Sequence, residues 1–592
     1  MAYRAARKLQ VNKDINRAAL QCETMRRSWI PIAAGYASLT IGLLDIAKAV
    51  SPHFGHSRMG EWSEVLPGIV TTVTRTTSLV VGILLVMIAH ALRRGKVRAW
   101  RAVMVLLPVS VVMGFAHLRP VPALISLALM AALVAGRREF TALPDPRSRW
   151  RALGNLLVLG AIDVGLGLLI VSSHARALAG HPGLLDRLEH VLLGLAGIEG
   201  PLTFTTARVS DLVYFLLLAL GTLTAVTTLY LAMRPARPVA KLTEEDERRL
   251  RELLSRSGER DSLGYFALRR DKSVIFSPSG KAAVAYRVVS GVMLASGDPI
   301  GDPEAWPAAI KAFLRDARRH AWVPAVIGCG ETAGEVWTRE TGMSALEIGD
   351  EAVVEVAGFT LEGRAMRNVR QMANRTERAG YTCRVRRVAD LTDQERERVK
   401  QAADAWRGTQ TERGYSMALG RFGDPADADC LVATAHKDGE LRAVLHFVPW
   451  GPHGISLDLM RRDRSAEPGL NELLIVKTLQ AAPSLGISQV SLNFAMFRSV
   501  LARGERLGAG PVLRAWRAVL IFLSQWFQIE SLYRFNAKFR PIWEPRFVVY
   551  PNARDLPRIS VSALQAEAFI TLGRPRVRRL RVPRLRPARL AS

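Results

Sequence analysis

Residues 454–499 read GISLDLMRRDRSAEPGLNELLIVKTLQAAPSLGISQVSLNFAMFRS. Apolar and polar side chains alternate over 455–460, which predicts a half-buried strand. An arginine-rich loop leads to 470–482, which has the composition of a helix, and 490–494 alternates again as a second strand. A strand, a basic loop, a helix and a strand form the phosphate-holding core of many acyl-transferring folds, because free N–H groups at a helix start attract anions.

The alternation in the first strand also predicts which side chains share a face. One side carries three apolar residues, Ile455, Leu457 and Leu459. Asp458 falls on the other side. A regular strand places Asp458 and Arg461, which are three residues apart, on opposite faces. The two side chains converge only if the strand ends or bulges near Met460.

Several motifs in and after this stretch resemble one family. They are SLDLMRR, the G-x-x-E-L-L helix start, LNFAMF, SGVMLASGDPIGDP at 290–303 and YRFNAKFRPIWEPRF at 533–547. Together they are similar to the synthase domain of MprF-type proteins, the multiple peptide resistance factors, which are lysyl- or alanyl-phosphatidylglycerol synthases. The resemblance covers roughly 243–560. It implies a C-terminal α/β (α+β) domain of two tandem units that resemble GCN5-type acetyltransferases.

The resemblance implies a transesterification, in which an aminoacyl group leaves the 3′ end of tRNA for a lipid hydroxyl on phosphatidylglycerol. The donor ester is already activated, so the site needs positioning, proton handling and oxyanion stabilisation. The family likeness gives weight to Asp458, Arg461 and the lysine of FNAKF, Lys538. Asp458 would orient the donor's ammonium or help to deprotonate the lipid hydroxyl, and Arg461 would hold a phosphate. Lys538 would face a phosphate or the developing oxyanion, and an ordinary salt bridge is the alternative for each residue.

Six further residues are weaker candidates for substrate binding: Glu472, Asn493, Arg498, Gly297, Asp298 and Gly301. The last three belong to the turn GDPIG at 297–301, which contains two glycines. As a functional element this turn would be a loop that lines the substrate, as the resemblance suggests. As a purely structural element it is a tight turn between strands.

The arginine-rich loop does not fit coenzyme A. The usual acyltransferase phosphate loop has the pattern Arg/Gln-x-x-Gly-x-Gly/Ala, and RRDRSAEPGLNE at 461–472 lacks that spacing. No Ser/His/Asp or Cys/His triad is evident, so direct transfer without an acyl-enzyme is the simpler expectation. The four cysteines are scattered without metal-ligand spacing. We expect no metal and no cofactor, with aminoacyl-tRNA as the co-substrate.

Residues 361–379, LEGRAMRNVRQMANRTERA, have the pattern of an amphipathic helix. Its basic side carries four candidate tRNA-binding residues, Arg364, Arg367, Arg370 and Arg378. Such a row suits the phosphates of a tRNA, although a run of charge is more often a solvated face. No aromatic residues are interleaved, so base stacking is not indicated.

Six apolar runs occupy about 31–50, 66–92, 100–117, 120–136, 153–172 and 211–233. Most approach the roughly 20 residues that cross a bilayer. The connections alternate between segments rich in Lys and Arg and segments poor in them, which predicts a multi-pass protein of the cell membrane with both termini in the cytoplasm. The surplus of basic over acidic residues is 14 in 1–240 (26 against 12), which points to anionic phospholipid before nucleic acid.

The predicted organisation has five parts: a basic cytosolic arm (1–30), a membrane domain of about six helices (31–240), a first acyltransferase-like unit (241–385), a second unit with the active site (386–573) and a basic disordered tail (574–592). The tail contains eight arginines and no acid. The longest family members carry extra spans that form a flippase, or a fused lysyl-tRNA synthetase, and this sequence has room for neither.

The sequence thus predicts a membrane-bound aminoacyltransferase that moves a lysyl or alanyl group from tRNA to phosphatidylglycerol. Its product would lower the negative charge of the membrane and favour resistance to cationic antimicrobial peptides. One alternative keeps the reaction and changes the acceptor to diacylglycerol or another lipid alcohol. A second alternative is a non-catalytic lipid flippase or transport protein. Expected partners are aminoacyl-tRNA, anionic phospholipid, the membrane and a second copy of the chain in a homo-oligomer.

Overall fold

The structure is a computed structural model. It describes residues 29–50, 68–116, 120–140, 146–180, 182–233, 241–408, 414–496 and 529–570. Residues 1–28 of the predicted arm, Arg498 and the tail 574–592 lie outside these ranges. The described residues up to Met233 belong to one compact unit, and most of the described residues from Lys241 onward belong to a second.

The first unit is helical, and a helix covers each of the six apolar runs. In chain order the helices are α1 (Trp29–Val50), α2 (Gly68–Leu92), α3 (Val97–Ala116), α4 (Pro120–Ala135), α5 (Pro146–Ser173), α6 (Leu184–Leu195) and α7 (Ala207–Met233). Among the described residues, three helices are long and apolar enough to cross a membrane, namely α1, α5 and α7. The one helix of this list that lies outside the six apolar runs is α6, a short amphipathic helix between α5 and α7.

Small residues and polar side chains join these helices. Gly42 of α1 faces Gly82 of α2 so closely that a Cβ on either would lie 2.7 Å from the other's carbonyl oxygen. Between α5 and α7, the Thr224 hydroxyl donates a 2.7 Å hydrogen bond to buried Asp163, and Asn155 donates to Thr227. Close glycine contacts and interhelical hydrogen bonds are typical of helices that pack in lipid, where apolar burial alone gives no driving force.

The second unit is α/β and contains a twelve-stranded mixed sheet. Its helices are α8 (Glu244–Ser257), α9 (Trp306–Arg319), α10 (Glu331–Thr341), α11 (Arg367–Arg378), α12 (Asp393–Trp406), α13 (Leu470–Ala481), α14 (Ile529–Ala537) and α15 (Leu556–Ala566). Its strands are β1 (Ser273–Phe276), β2 (Ala282–Val289), β3 (Val292–Ser296), β4 (Ile300–Gly301), β5 (Val323–Cys329), β6 (Ser344–Glu355), β7 (Thr382–Arg387), β8 (Leu431–Lys437), β9 (Glu440–Trp450), β10 (Gly454–Arg462), β11 (Gln489–Met496) and β12 (Ile542–Tyr550).

The strand order is β1-β2-β3-β5-β12-β6-β11-β10-β9-β8-β7, with β4 paired to β2. The last strand in sequence, β12, therefore lies between β5 and β6, which come from the middle of the chain. The boundary that we placed between residues 385 and 386 falls inside β7, the edge strand that pairs along its length with β8. The division into two acyltransferase-like units stays a prediction.

Short sequence signals, such as helix caps, located the helices and strands of the second unit well. Thr243 caps α8 by accepting the Asp246 N–H, and Thr392 with Glu395 forms a capping box at the start of α12. The predicted helix at 470–482 is α13, and both flanking strands are present as β10 and β11. The helix predicted over 361–379 is shorter than expected and begins at Arg367.

The predicted face of β10 is wrong at Leu459. The register between β10 and β9 shifts between Leu457 and Leu459, so Asp458 is the extra residue of a bulge. Ile455 and Leu457 pack in a first core with α11 and α13, whereas Leu459 packs in a second core with α12 on the opposite face of the sheet. The bulge turns the later residues over, which is a tertiary feature that simple alternation does not encode.

Candidate active site

Strands β10 and β11 run parallel, pair at their starts and then separate. The paired residues end at Ser456 and Ser491. Beyond them β10 continues on β9 as far as Arg462, while β11 continues on β6. We call the opening between residues 457–462 and 492–496 the wedge. Strands that part in the middle of a sheet leave backbone groups and side chains available to a ligand.

Asn493 bridges the narrow end of the wedge. Its side-chain amide donates to the Leu457 carbonyl at 3.2 Å, and its backbone has a φ of +80°. A positive φ is tolerated by asparagine better than by most residues. The register of β11 on β6 also shifts between Ser491 and Phe494, so both strands are irregular where they part. We predicted that Asn493 binds substrate. In the structure its side chain joins β11 to β10 at the narrow end of the wedge.

The side chain of Asp458 is buried, and each of its oxygens contacts the protein. Its Oδ2 lies 2.7 Å from Nδ1 of His446 on β9, and its Oδ1 accepts the Leu419 N–H at 2.6 Å. The exposed fractions of the two side chains are 4% for Asp458 and 1% for His446. A carboxylate only accepts hydrogen bonds, so this contact places the His446 proton on Nδ1. Sequence reasoning missed His446, because hairpin register rather than spacing brings it to Asp458.

The bulge brings Arg461 to the same face of β10 as Asp458. Leu459 packs in the second core. The Arg461 guanidinium lies on the same side of the sheet and reaches the C-terminal end of α12. There it donates to the Ala403 carbonyl at 2.8 Å and lies 3.7 Å from Asp404. The condition set by the sequence for Asp458 and Arg461 to converge, a bulge near Met460, is therefore met.

Lys538 lies at the other face of the sheet. Its Nζ donates a 2.8 Å hydrogen bond to Glu472 in the first turn of α13, and the neighbouring Phe539 belongs to the first core. Glu472 is 9% exposed, whereas Lys538 is 40% exposed. The structure therefore groups Lys538 with Glu472 and Asp458 with Arg461, rather than uniting the three predicted catalytic residues.

The turn at 297–301 packs into the interior. Gly297 and Gly301 have φ values of +70° and +94°, and a Cβ on Gly301 would lie 2.3 Å from the Lys281 carbonyl oxygen. The Asp298 N–H donates to Asp261 at 2.9 Å, and the Asp298 carboxylate accepts the Gly330 N–H at 2.7 Å. These contacts are those of a tight turn, since the Asp298 N–H and carboxylate both form hydrogen bonds within the protein.

A buried arginine near this turn, Arg546 of β12, contacts two acidic side chains. Its guanidinium contacts Glu351, donates to Asp261 at 2.8 Å and donates to the Ser262 hydroxyl at 2.8 Å. Burial raises the pKa of Asp298 to about 7, and the neighbouring Asp261 acts in the same direction. Arg546 lies within the motif at 533–547, but the sequence does not reveal that it pairs with Glu351, 195 positions earlier.

The predicted tRNA-binding arginines differ in their surroundings. Arg367 and Arg378 are exposed on α11, and Arg364 is exposed in the segment before it. Arg370 is half-buried, because its guanidinium donates to the carbonyls of Leu361 and Gly363. Val369 and Ala373 fill the opposite, buried side of the helix, so the exposed arginines form a surface row.

Comparison with known proteins places the two units in known groups. Residues 251–550 match the family described as phosphatidylglycerol lysyltransferase, C-terminal, and residues 26–231 match the transmembrane region of lysyl-tRNA synthetase. The first match contains the wedge and every candidate residue of the second unit. The second match, with the apolar helices, identifies the first unit as a membrane region.

Two curated relatives carry the name lysylphosphatidylglycerol biosynthesis bifunctional protein LysX. The one from Mycobacterium marinum is 40% identical over 576 residues, which cover 92% of this chain and 50% of that protein. The one from Rhodococcus opacus is 45% identical over 464 residues, which cover 77% of this chain and 40% of that protein. The chain therefore spans about half the length of the curated relatives it matches. A solved structure, L-PGS from Bacillus licheniformis, is 22% identical with a TM-score of 0.48, over 56% of this chain and 98% of that one.

Proposed function

The chain belongs to the phosphatidylglycerol lysyltransferase C-terminal family, and we propose that it transfers an aminoacyl group from aminoacyl-tRNA to a hydroxyl of phosphatidylglycerol. The observation that carries the proposal is the family match over 251–550, which includes the wedge, Asp458, Arg461 and Lys538. The names of the two relatives favour lysyl over alanyl as the transferred group. Adding a lysyl group to the lipid would lower the negative charge of the membrane and favour resistance to cationic antimicrobial peptides.

The geometry of the wedge supports direct transfer. The donor ester carries its own activation, so the protein must align the two substrates, accept a proton and stabilise an oxyanion. Lys538 is a half-exposed cation at one face of the wedge and suits a phosphate or the developing oxyanion. Arg461 suits a phosphate from the other face. We propose no coenzyme A and no other cofactor, because aminoacyl-tRNA supplies the group.

The membrane region would bring this site to its lipid. We propose that all six helices over the apolar runs cross the cell membrane and that both termini are cytoplasmic, since aminoacyl-tRNA exists only there. The second unit would consist of two tandem units that resemble GCN5-type acetyltransferases, with the wedge in the second. The exposed row of Arg364, Arg367 and Arg378 would contact tRNA phosphates. A homo-oligomer is the remaining proposed partner.

A lipid-labelling experiment tests the function. Membranes that contain the full chain are incubated with tRNA charged with radiolabelled lysine, and the lipids are extracted and separated. We expect a labelled lipid with the mass of lysyl-phosphatidylglycerol, and no label after RNase treatment. Asp458→Ala and Lys538→Ala should each lower the labelling roughly 100-fold, whereas Lys281→Ala, at an exposed lysine of the same unit, should leave it unchanged.

Three outcomes would contradict the proposal. Label on diacylglycerol or another lipid alcohol would refute the acceptor. Label from alanyl-tRNA alone would refute the lysyl group. If neither aminoacyl-tRNA labels any lipid, the transferase proposal fails. Reporter fusions at each terminus test the topology, and a terminus outside the cell would refute the cytoplasmic site.

A further inference from the structure

Two buried polar atoms beside the wedge lack partners among the described residues. They are Nε2 of His446 and the hydroxyl oxygen of Ser456. Both side chains are 1% exposed as residues. Burying a polar group without a hydrogen bond is unfavourable, so each such group in a folded protein requires an explanation.

The two atoms share one face of the sheet. Ser456 pairs with Val448 of β9, and His446 pairs with Leu459 of β10, and both apolar residues belong to the second core. Ser456 is also the last residue of β10 that pairs with β11 before the strands separate. The unpartnered groups therefore flank Asp458 at the point where the wedge opens.

The hydrogen bonds around Asp458 distinguish two candidate bases. Each of its carboxylate oxygens already accepts one protein hydrogen bond, one from the Leu419 N–H and one from His446 Nδ1. Each oxygen keeps a further lone pair, but a proton on Oδ2 would weaken the charge-assisted contact with His446. His446 differs, because a proton on Nδ1 leaves a lone pair on Nε2.

We propose that His446 is the proton acceptor for the lipid hydroxyl and that Asp458 is a positioning residue that orients it. The inference rests on the proposed transferase function and deepens it. The lipid O–H gives its proton to Nε2 while its oxygen forms a bond to the aminoacyl carbonyl carbon. The bond from that carbon to the ribose oxygen of tRNA then breaks, and the ribose oxygen takes the same proton back from Nε2.

The environment of His446 suits this role. Asp458 stabilises the imidazolium that forms during the step, as a buried carboxylate does when it holds the far ring nitrogen of a catalytic histidine. Phe422 packs edge-on against the imidazole, with ring centroids 4.9 Å apart. Because Nε2 is buried, a hydroxyl can reach it only when neighbouring side chains move. Ser456 would then offer a hydrogen bond to the same substrate.

The competing explanation is a histidine that serves only to orient Asp458, which holds the loop at Leu419, with a trapped water on Nε2. Steady-state kinetics of the full chain in phosphatidylglycerol vesicles separates the two explanations. The variants are His446→Gln, Asp458→Asn and the double variant. The matched control is His453→Gln, at an exposed histidine in the β9–β10 turn.

We expect His446→Gln to lower kcat by at least about 100-fold, with KM for lysyl-tRNA and for lipid within about threefold of wild type. Asp458→Asn should also lower kcat, and the double variant should be no slower than His446→Gln alone, because the two residues act as one unit. His453→Gln should keep the wild-type kcat. If His446→Gln does not fold, the kcat and KM of Asp458→Asn decide between the two explanations.

Three results would overturn the inference. One is a kcat for His446→Gln, or for Asp458→Asn where that is the deciding variant, within about threefold of wild type. Another is a raised KM with an unchanged kcat, which would mean binding only. In both cases wild type still makes the lipid, so the proposed function survives. If wild type makes no aminoacylated lipid, the proposed function and the inference fail together.

Discussion

Lys272 gives the sharpest test of the physical reasoning, because replacing it by methionine should stabilise the protein. The residue is fully buried, and its Nζ donates to the Ser296 hydroxyl at 2.9 Å. The same nitrogen lies 4.6 Å from the centre of the Tyr415 ring. Burial lowers the pKa of Lys272 from 10.5 to about 7. The charged form is therefore disfavoured in the folded state.

The size of the effect follows from this shift. Between pH 7 and 10.5 the unfolded chain holds the lysine proton more firmly than the folded chain, so stability rises with pH across that window. The difference of 3.5 units (10.5 minus 7) corresponds to an upper bound of about 4–5 kcal/mol at pH 7. Losing the hydrogen bond to Ser296 costs about 1 kcal/mol. We therefore expect a net stabilisation of at most about 3–4 kcal/mol at pH 7 that disappears near pH 10.

Denaturant unfolding of the full chain in detergent, at pH 7 and at pH 10, measures this difference. Lys272→Met is compared with wild type and with Lys281→Met, at an exposed lysine where neither pH should reveal a change. The reasoning is refuted if Lys272→Met is less stable than wild type at pH 7 and the deficit shrinks at pH 10. That result would mean that the ammonium is charged and favourably paired in the folded state.

Four further predictions concern other charged groups. Arg546→Met should destabilise the second unit by about 3–5 kcal/mol in thermal or denaturant unfolding, because it leaves buried carboxylates without a cation, and a loss below about 1 kcal/mol would contradict this. Asp298→Asn should gain stability over wild type as pH rises from about 4 to 7, by at most about 1.4 kcal/mol per pH unit, because the raised pKa of Asp298 makes its ionisation costly in the folded state; an advantage that is flat with pH argues against it. Lys538→Ala should change stability by less than about 1 kcal/mol, since this ion pair is partly exposed, yet lower lipid labelling roughly 100-fold, and equal labelling would exclude the lysine from the reaction. Arg367→Ala and Arg378→Ala should each raise KM for tRNA and reduce the slope of log KM against log salt by about 1, with kcat unchanged, and an unchanged slope would mean that these arginines touch no phosphate.

Some parts of the candidate site were predictable because they depend on short-range signals. The alternation in β10 and β11 and the composition of α13 are local, and the structure places all three elements within one or two residues of the prediction. Motif resemblance also directed attention to Asp458 and Lys538. Neither signal could reveal that these two residues lie at opposite faces of the sheet, because a face depends on register.

The unpredicted parts depend on contacts between distant segments. The pairing of Arg546 with Glu351 requires β12 to enter the sheet beside β6, which no spacing in the sequence encodes. The Asp458–His446 contact requires a bulge in β10 opposite β9. Such irregularities cost local hydrogen bonds and persist only where the surrounding packing favours them.

By itself the sequence determined a membrane region followed by an α/β domain, the positions of most helices and strands, and a family with a definite chemistry. These features follow from hydrophobic period, helix caps and motif residues, all of which act over a few positions along the chain. The tertiary structure alone decided where β10 and β11 part, that Arg461 joins Asp458 on one face, and that one ring nitrogen of His446 has no partner among the described residues. The reason is physical: a one-residue bulge reverses every later side chain of a strand, and strand order brings together residues that no local pattern connects.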